Sequence, residues 1–333
     1  MKAMFARVAA AAAAIWVSTA VTVAAADFEW KFFTIYGVSD KQTEWMRGFS
    51  REVKEATDGR LNITVFTGSE LPYKGVDVYR ALSRRQIEIG HSPTGFIATD
   101  LSLLDAMSMP FVCMSMERFF DGALPQIEGS FDAAISDKFA ATPIMHWAMP
   151  GQQVWSTRPI DRLDDFRGMK IRTWNQGQVL TMDKLGATSV SITTAEVTPA
   201  LQRGVIDGAI TAAVNADAWN WHEVLGNGYL FNITLSHEVI SVNNAALAEL
   251  PEDVRTAFLD VSRKWAGILR QEVLALDAQA RANLTAKGIR LVDPTPEDAA
   301  ALATMTADIA ETWASQNGET GRTILASIRS GCQ

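Results

Sequence analysis

The chain of 333 residues is 48% hydrophobic and 20% charged, and its formal net charge is -8 at pH 7. An acidic surface argues against nucleic acid and anionic lipid headgroups as partners, so any anionic ligand has to be held by a local positive site. The length is enough for two lobes around separate cores, and after Asp27 charges interrupt every apolar stretch before it reaches bilayer-spanning length.

In chain order, Lys2 and Arg7 accompany an apolar run over residues 8–23, and Ala24-Ala25-Ala26 follows just before Asp27. A positive region, an apolar region and a small-residue cleavage site describe a secretory leader, residues 1–26, removed after Ala26. A membrane anchor is the competing reading, but a run this short barely crosses a hydrocarbon core. Loss of Lys2 and Arg7 with the leader makes the remainder more acidic still.

Residues 29–36 are rich in aromatic and β-branched types and predict a first strand. A turn at Gly37-Val38-Ser39-Asp40 leads into a helix that runs to Asp58-Gly59, with Trp45, Met46, Phe49 and Val53 at helical spacing. Residues 61–66 alternate as a strand does, 76–85 read as a short helix, and 87–89 begin another strand. That alternation marks a parallel sheet of the α/β class. A second such region follows: strands starting at 154 and over 169–172, a helix over 176–185 ended by Gly186, a strand over 189–192, a helix over 195–203 and a strand over 206–210. From Pro251 to about Lys287 the pattern is helical, with Glu252 and Asp253 placed favourably for the helix dipole. A helix of more than thirty residues can run along both lobes and limit how they move. No Pro-rich or low-complexity linker separates the two regions, so crossing strands are expected to join the lobes.

Cys113 and Cys332 are the two cysteines. An oxidising compartment permits their pairing. Cys113 nevertheless reads as a small buried hydrophobe, and Cys332, next to last, as part of a frayed end, so the expectation is two free thiols. His91, His146, His222 and His237 show no metal-ligand spacing, and no nucleophile elbow, P-loop or dinucleotide fingerprint occurs. Neither a metal, a cofactor nor a catalytic group is expected. A secreted hydrolase or isomerase lacks a nameable nucleophile, base and orienting group.

The most informative segment is Asp164-Asp-Phe-Arg-Gly-Met-Lys-Ile-Arg-Thr-Trp-Asn175, which places a turn at Gly168, a short strand and Arg172 at the strand's C-terminal end. In open α/β sheets ligands lie at that end. A guanidinium offers a planar fork that matches a carboxylate, and a strand holds it rigidly. On these grounds alone a surface ion pair is an equal alternative. Trp174, two residues on, shares the strand face of Arg172 if the strand continues and can then stack on an apolar ligand body; a hydrophobic core Trp is the alternative. Asn215 and Trp219 follow the strand that ends near Asp207-Gly208, as orienting group and cleft wall or as lobe packing. Tyr36 ends the first strand and Thr94 ends the strand starting at Ile87, so both are expected at the crevice, with Tyr73 a further candidate.

Here the chain resembles the solute-binding subunit of TRAP (tripartite ATP-independent periplasmic) transporters. The resemblance spans nearly all residues after the leader. It is strongest over Phe166-Arg-Gly-Met-Lys-Ile-Arg172, over Glu196-Val-Thr-Pro-Ala-Leu-Gln-Arg-Gly-Val-Ile-Asp-Gly208 and over Asn243-Asn-Ala-Ala-Leu-Ala-Glu-Leu-Pro251. It implies a two-lobed α/β fold like that of periplasmic binding proteins, a ligand cleft between the lobes, closure on the ligand and a long helix crossing both. Residues 27–149 with 237–276 would form one lobe and 150–236 with 277–333 the other. The family's carboxylate-binding Arg falls on Arg172. Many relatives carry an Asn where this chain has Thr211, and a second Arg of sialic-acid-binding members falls on Gln152. Both departures argue against sialic acid, and the Pro150-Gly151-Gln152 run looks like members that bind 2-oxo acids.

The resemblance implies a monomeric, non-enzymatic periplasmic receptor that delivers a small organic carboxylate to the membrane permease subunits of a TRAP transporter. Ten tryptophans and few basic residues near the cleft favour a monocarboxylate: a 2-oxo, 2-hydroxy or aromatic acid. The expected ligand-binding set is Arg172, Gln152, Trp174, Asn175, Thr211, Asn215, Trp219, Tyr36, Thr94 and Tyr73. A zwitterionic osmolyte, its cationic end in an aromatic cage, is the second class. A sensor subunit that presents its ligand to a membrane kinase would use the same residues.

Overall fold

The computed structural model describes residues 26–333; residues 1–25 of the expected leader lie outside the described residues. Eleven strands are described: β1 (Phe28–Phe33), β2 (Leu61–Phe66), β3 (Ile89–Pro93), β4 (Ala141–Met149), β5 (Gln153–Ser156), β6 (Lys170–Thr173), β7 (Thr188–Ser191), β8 (Gly208–Thr211), β9 (Asn227–Tyr229), β10 (Ser236–Asn243) and β11 (Arg290–Val292). They form two sheets, ordered β2-β1-β3-β10-β4 and β11-β9-β5-β8-β6-β7. The helices are α1 (Lys41–Ala56), α2 (Val78–Ser83), α3 (Thr94–Ile97), α4 (Met116–Arg118), α5 (Leu124–Phe139), α6 (Gln176–Lys184), α7 (Thr194–Gln202), α8 (Ala213–Ala218), α9 (Asn244–Glu249), α10 (Glu252–Ala286), α11 (Pro296–Gln316) and α12 (Gly318–Cys332). No described helix is long and apolar enough to cross a membrane.

Helix α1 buries the stripe expected of it, Trp45, Met46, Phe49 and Val53. Phe49 meets Phe32 of β1 edge-on at 6.2 Å and Phe258 of α10 at 5.9 Å. This knits the first sheet to the long helix. Helix α10 spans 35 residues, about 52 Å at 1.5 Å per residue. It packs on α1 and β4 beside the first sheet and on α8 beside the second, so it lies along both lobes.

The sheets are mixed, where the alternation of elements predicted parallel ones. β1 pairs with β2 and β3 in parallel, but β10 runs antiparallel to both β3 and β4. In the second sheet β5 is antiparallel to β8 and β9. The cause is the crossing expected between lobes. The chain leaves the first sheet through β4 into β5 and returns through β9 into β10, so each sheet receives strands from the other side. The two crossings bond to each other: the Gln152 N–H donates to the Thr234 carbonyl at 2.8 Å, and the Ile233 N–H to the Gln152 carbonyl at 3.1 Å.

The two cysteines are not free, contrary to expectation: Cys113 and Cys332 form a disulfide with their Cα atoms 5.4 Å apart. The C-terminus is not frayed, because α12 packs on α5 and on the helical turn over residues 119–123. Close approach of backbone makes this possible. A Cβ added at Gly331 would lie 2.4 Å from the Ala123 nitrogen, and one at Gly122 would lie 2.0 Å from the Gly331 carbonyl oxygen.

Asp105 sits in the 3-10 turn Ser102–Ser108, buried, and its Oδ1 has no hydrogen-bond partner among the described residues. Burial pushes its pKa up to about 6, against the hydrogen bond from Ser108. A carboxyl raised in the folded state contributes fully below its unfolded pKa near ~4, and that contribution is lost as pH rises through about 6. Asp105→Asn is therefore expected to gain stability relative to the parent, on the order of 2–3 kcal/mol, as pH rises from 4 to 7. Urea unfolding of both proteins at each pH checks this. A parent-to-variant difference that does not change with pH would refute the assignment.

Candidate ligand-binding site

A cleft opens between the two sheets, lined from both sides. Strand β6 lies between β7 and β8, with Arg172 opposite Val190 and Ala209. The backbone of Arg172 is thus fixed on both flanks, and its side chain reaches the cleft with 2% of its surface exposed. Nε donates to the Ile192 carbonyl at 3.3 Å and Nη1 to the Ile210 carbonyl at 3.4 Å, both long contacts. No acidic side chain pairs with it among the described residues. Burial pushes its pKa down to about 10, so the guanidinium still carries its charge at neutral pH. A buried charge without a counter-ion is costly, and an anion entering the cleft would relieve that cost.

Seven of the expected residues line this cleft: Tyr36, Gln152, Arg172, Trp174, Thr211, Asn215 and Trp219. Gln152 sits where the crossing segments bond, its Nε2 donating to the Pro150 carbonyl at 2.8 Å. Thr211 ends β8, and Asn215, one helical turn later, donates from Nδ2 to its Oγ1 at 3.1 Å. An amide therefore stands beside the threonine that replaces the expected asparagine.

Three expected residues do not line the cleft. Thr94 is buried as the first residue of α3; the strand stops at Pro93, and the helical rotation that follows brings Phe96 to the cleft instead. Asn175 is used as the N-cap of α6, its Oδ1 accepting from the Gln178 N–H at 2.8 Å. Tyr73 packs edge-on against Phe33 at 5.7 Å. The lining residues not expected from the sequence are Ile35, Pro93, Phe96, Met149, Thr194, Ser236 and Glu238. Among the lining residues described, Arg172 is the one cation and Glu238 the one carboxylate.

Several contacts bridge the two sides. Trp219 Nε1 donates to Asp40 Oδ1 at 3.2 Å, and Gln42 Nε2 to Asn215 Oδ1 at 3.2 Å. Burial raises the Asp40 carboxyl, opposed by its bonds from the Gly37 backbone and Trp219. Phe96 meets Trp174 edge-on at 5.8 Å. These contacts describe a closed cleft.

The family model of DctP, bacterial extracellular solute-binding protein, family 7, matches residues 34–317. The chain belongs to that family. Its members are solute-binding subunits of TRAP transporters, not enzymes. A solute-binding protein of Chromohalobacter salexigens is 25% identical over 260 residues, 76% of each chain. A monocarboxylate 2-oxoacid-binding periplasmic protein of Nostoc is 26% identical over 279 residues, 80% of this chain and 74% of that one. In fold, the chain is similar to DctP7 of Bordetella pertussis, an extracytoplasmic solute receptor binding pyroglutamic acid. The TM-score is 0.85 at 22% identity, over 90% of this chain and 99% of that one.

At Gly95 the two sides of the cleft meet. A Cβ there would lie 3.0 Å from the Trp174 ring, 3.1 Å from the Asn175 Cβ and 3.0 Å from the Ser108 hydroxyl on its own side, so the isopropyl group of valine has no room while the cleft is closed. Gly95→Val is expected to hold the lobes apart. With an organic acid that saturates the parent, small-angle scattering should show the parent compacting and the variant keeping its ligand-free radius. Equal compaction of both would refute this role.

Proposed function

We propose that the protein is a periplasmic TRAP receptor that captures a small organic monocarboxylate at Arg172, closes over it and delivers it to the membrane permease. The observation that carries this reading is the buried, unneutralised guanidinium facing the cleft. A carboxylate supplies the missing charge and accepts from the planar fork in a charge-assisted pair. A second carboxylate would find no second cation among the described lining residues, and an unpaired buried carboxylate is costly.

Tyr36, Phe96, Trp174 and Trp219 give the cleft apolar walls for the remainder of the ligand, each Å² so covered adding roughly 25 cal/mol. Relatives named for pyroglutamic acid and 2-oxo acids fit a compact acid with one carboxylate, while others are named for C4-dicarboxylates and succinate, so the single cation of this cleft carries the choice. Export to the periplasm follows from the leader expected over residues 1–26. The proposed lobes are 27–149 with 237–276 and 150–236 with 277–333; the last helix packs on both α11 and α5 and is tied to Cys113, so it also bridges the two. A zwitterionic ligand is the second reading, favoured by Glu238 in the cleft wall.

A thermal-shift screen of organic acids identifies ligands, and calorimetry on Arg172 variants then tests the clamp. Arg172→Ala is expected to lose on the order of 2–5 kcal/mol, more than tenfold in affinity, with the fold intact. Arg172→Lys is expected to recover little, because an ammonium lacks the fork. Affinity of Arg172→Ala within threefold of the parent would refute the clamp.

A further inference from the structure

We propose that Glu238 is the specificity-determining residue for the ligand group that faces the first sheet, accepting an N–H donor from it and turning away a second carboxylate. This rests on the carboxylate reading at Arg172 and adds to it the chemistry of the group presented to the other wall. Glu238 lines the cleft from β10, in the first sheet, whereas Arg172 lines it from β6, in the second.

Its carboxylate is 1% exposed and held in one orientation. Oε1 accepts from the Ser236 hydroxyl at 2.6 Å and, more weakly, from the Tyr36 hydroxyl at 3.5 Å. Oε2 bonds His91 Nε2 at 2.8 Å, and His91 Nδ1 bonds the Thr34 hydroxyl at 3.0 Å. The Tyr36 ring stacks on the His91 imidazole with centroids 5.3 Å apart, and Trp147 lies 5.6 Å from the same ring. His91 and Ser236 are positioning residues: they hold the carboxylate so that it cannot swing away from an unsuitable ligand.

An ionised carboxylate is an acceptor only, with about four lone-pair sites. Three are used within the protein, which leaves about one for the cleft. A ligand atom at that place has to be a donor. An ether oxygen, a carbonyl or a second carboxylate would set lone pair against lone pair in a site shielded from water, which is how a binding site rejects a near-isostere. With a cation on one wall and an acceptor on the other, the cleft matches a ligand that presents a carboxylate to one wall and an N–H to the other, as an α-nitrogen acid can. A neutral ring amide and an ammonium share this chemistry.

The test is calorimetry on the unmodified chain with four ligands: pyroglutamate, its lactone counterpart 5-oxotetrahydrofuran-2-carboxylate, proline and succinate. The lactone differs from pyroglutamate by a ring oxygen in place of N–H. At least one of pyroglutamate and proline is expected to bind tenfold or more tighter than both the lactone and succinate. Pyroglutamate ahead of proline identifies the neutral amide, and the reverse order identifies the ammonium. In Glu238→Gln the gap between pyroglutamate and the lactone should shrink to within threefold, since the side-chain amide can turn its NH2 toward the ring oxygen. The comparison on the unmodified chain decides the matter even if that variant fails to fold. Lactone or succinate affinity equal to that of the better N–H ligand overturns the proposal, as does failure of both N–H ligands to bind. Loss of all binding in Arg172→Ala, alongside equal lactone and pyroglutamate affinities in the parent, would leave the clamp standing and remove only the role of Glu238.

Discussion

A guanidinium taken out of water needs compensation, and Arg172 receives only two backbone carbonyls at 3.3 and 3.4 Å. Burial lowers its pKa only to about 10, so deprotonation is no escape at neutral pH. The second sheet is built to keep this charge in place. Strands β7 and β8 fix the backbone on both sides of β6, and β8 leads directly into Thr211 and Asn215 at the same cleft. A charge held this firmly and left without a counter-ion is a site prepared for an anion.

In the function proposed above, the same ion would couple binding to movement. Closing the cleft around Arg172 without an anion would shield an uncompensated charge, while closing it with one would strengthen the pair. Such a difference in free energy between open and closed states is what a ligand needs in order to shift the balance. The closing contacts themselves are modest: Trp219 to Asp40, Gln42 to Asn215, and the edge of Phe96 on Trp174. Two short crossings and α10 connect the sheets, which suits a hinge motion with few soft points.

Much of this was legible in the sequence where a local pattern carries the signal. β2 spans Leu61–Phe66 as its alternation predicts, and Arg172 reaches the cleft from β6; Trp174 also lines the cleft, though β6 ends at Thr173, so it gets there from the turn before α6 and not by strand alternation. Thr94 and Asn175 stand away from it because the chain changes element at each of them, one opening α3 and the other capping α6. Long-range pairing was not legible. Glu238 and Ser236 lie on β10, whose partners β3 and β4 are far away in the chain and antiparallel to it. The disulfide joins residues 219 apart, through a helix whose docking depends on two glycines in backbone contact.

The most direct measurement sets the charge of the ligand against its shape. Each organic acid that raises the melting midpoint is compared with its own methyl ester, which keeps the body and removes the negative charge. Neutralisation of Arg172 predicts that the acid, at roughly 100 times its Kd, adds about 2.7 kcal/mol and raises the midpoint by several degrees, while the ester leaves it unchanged. An ester that stabilises the protein as much as its acid would contradict the account.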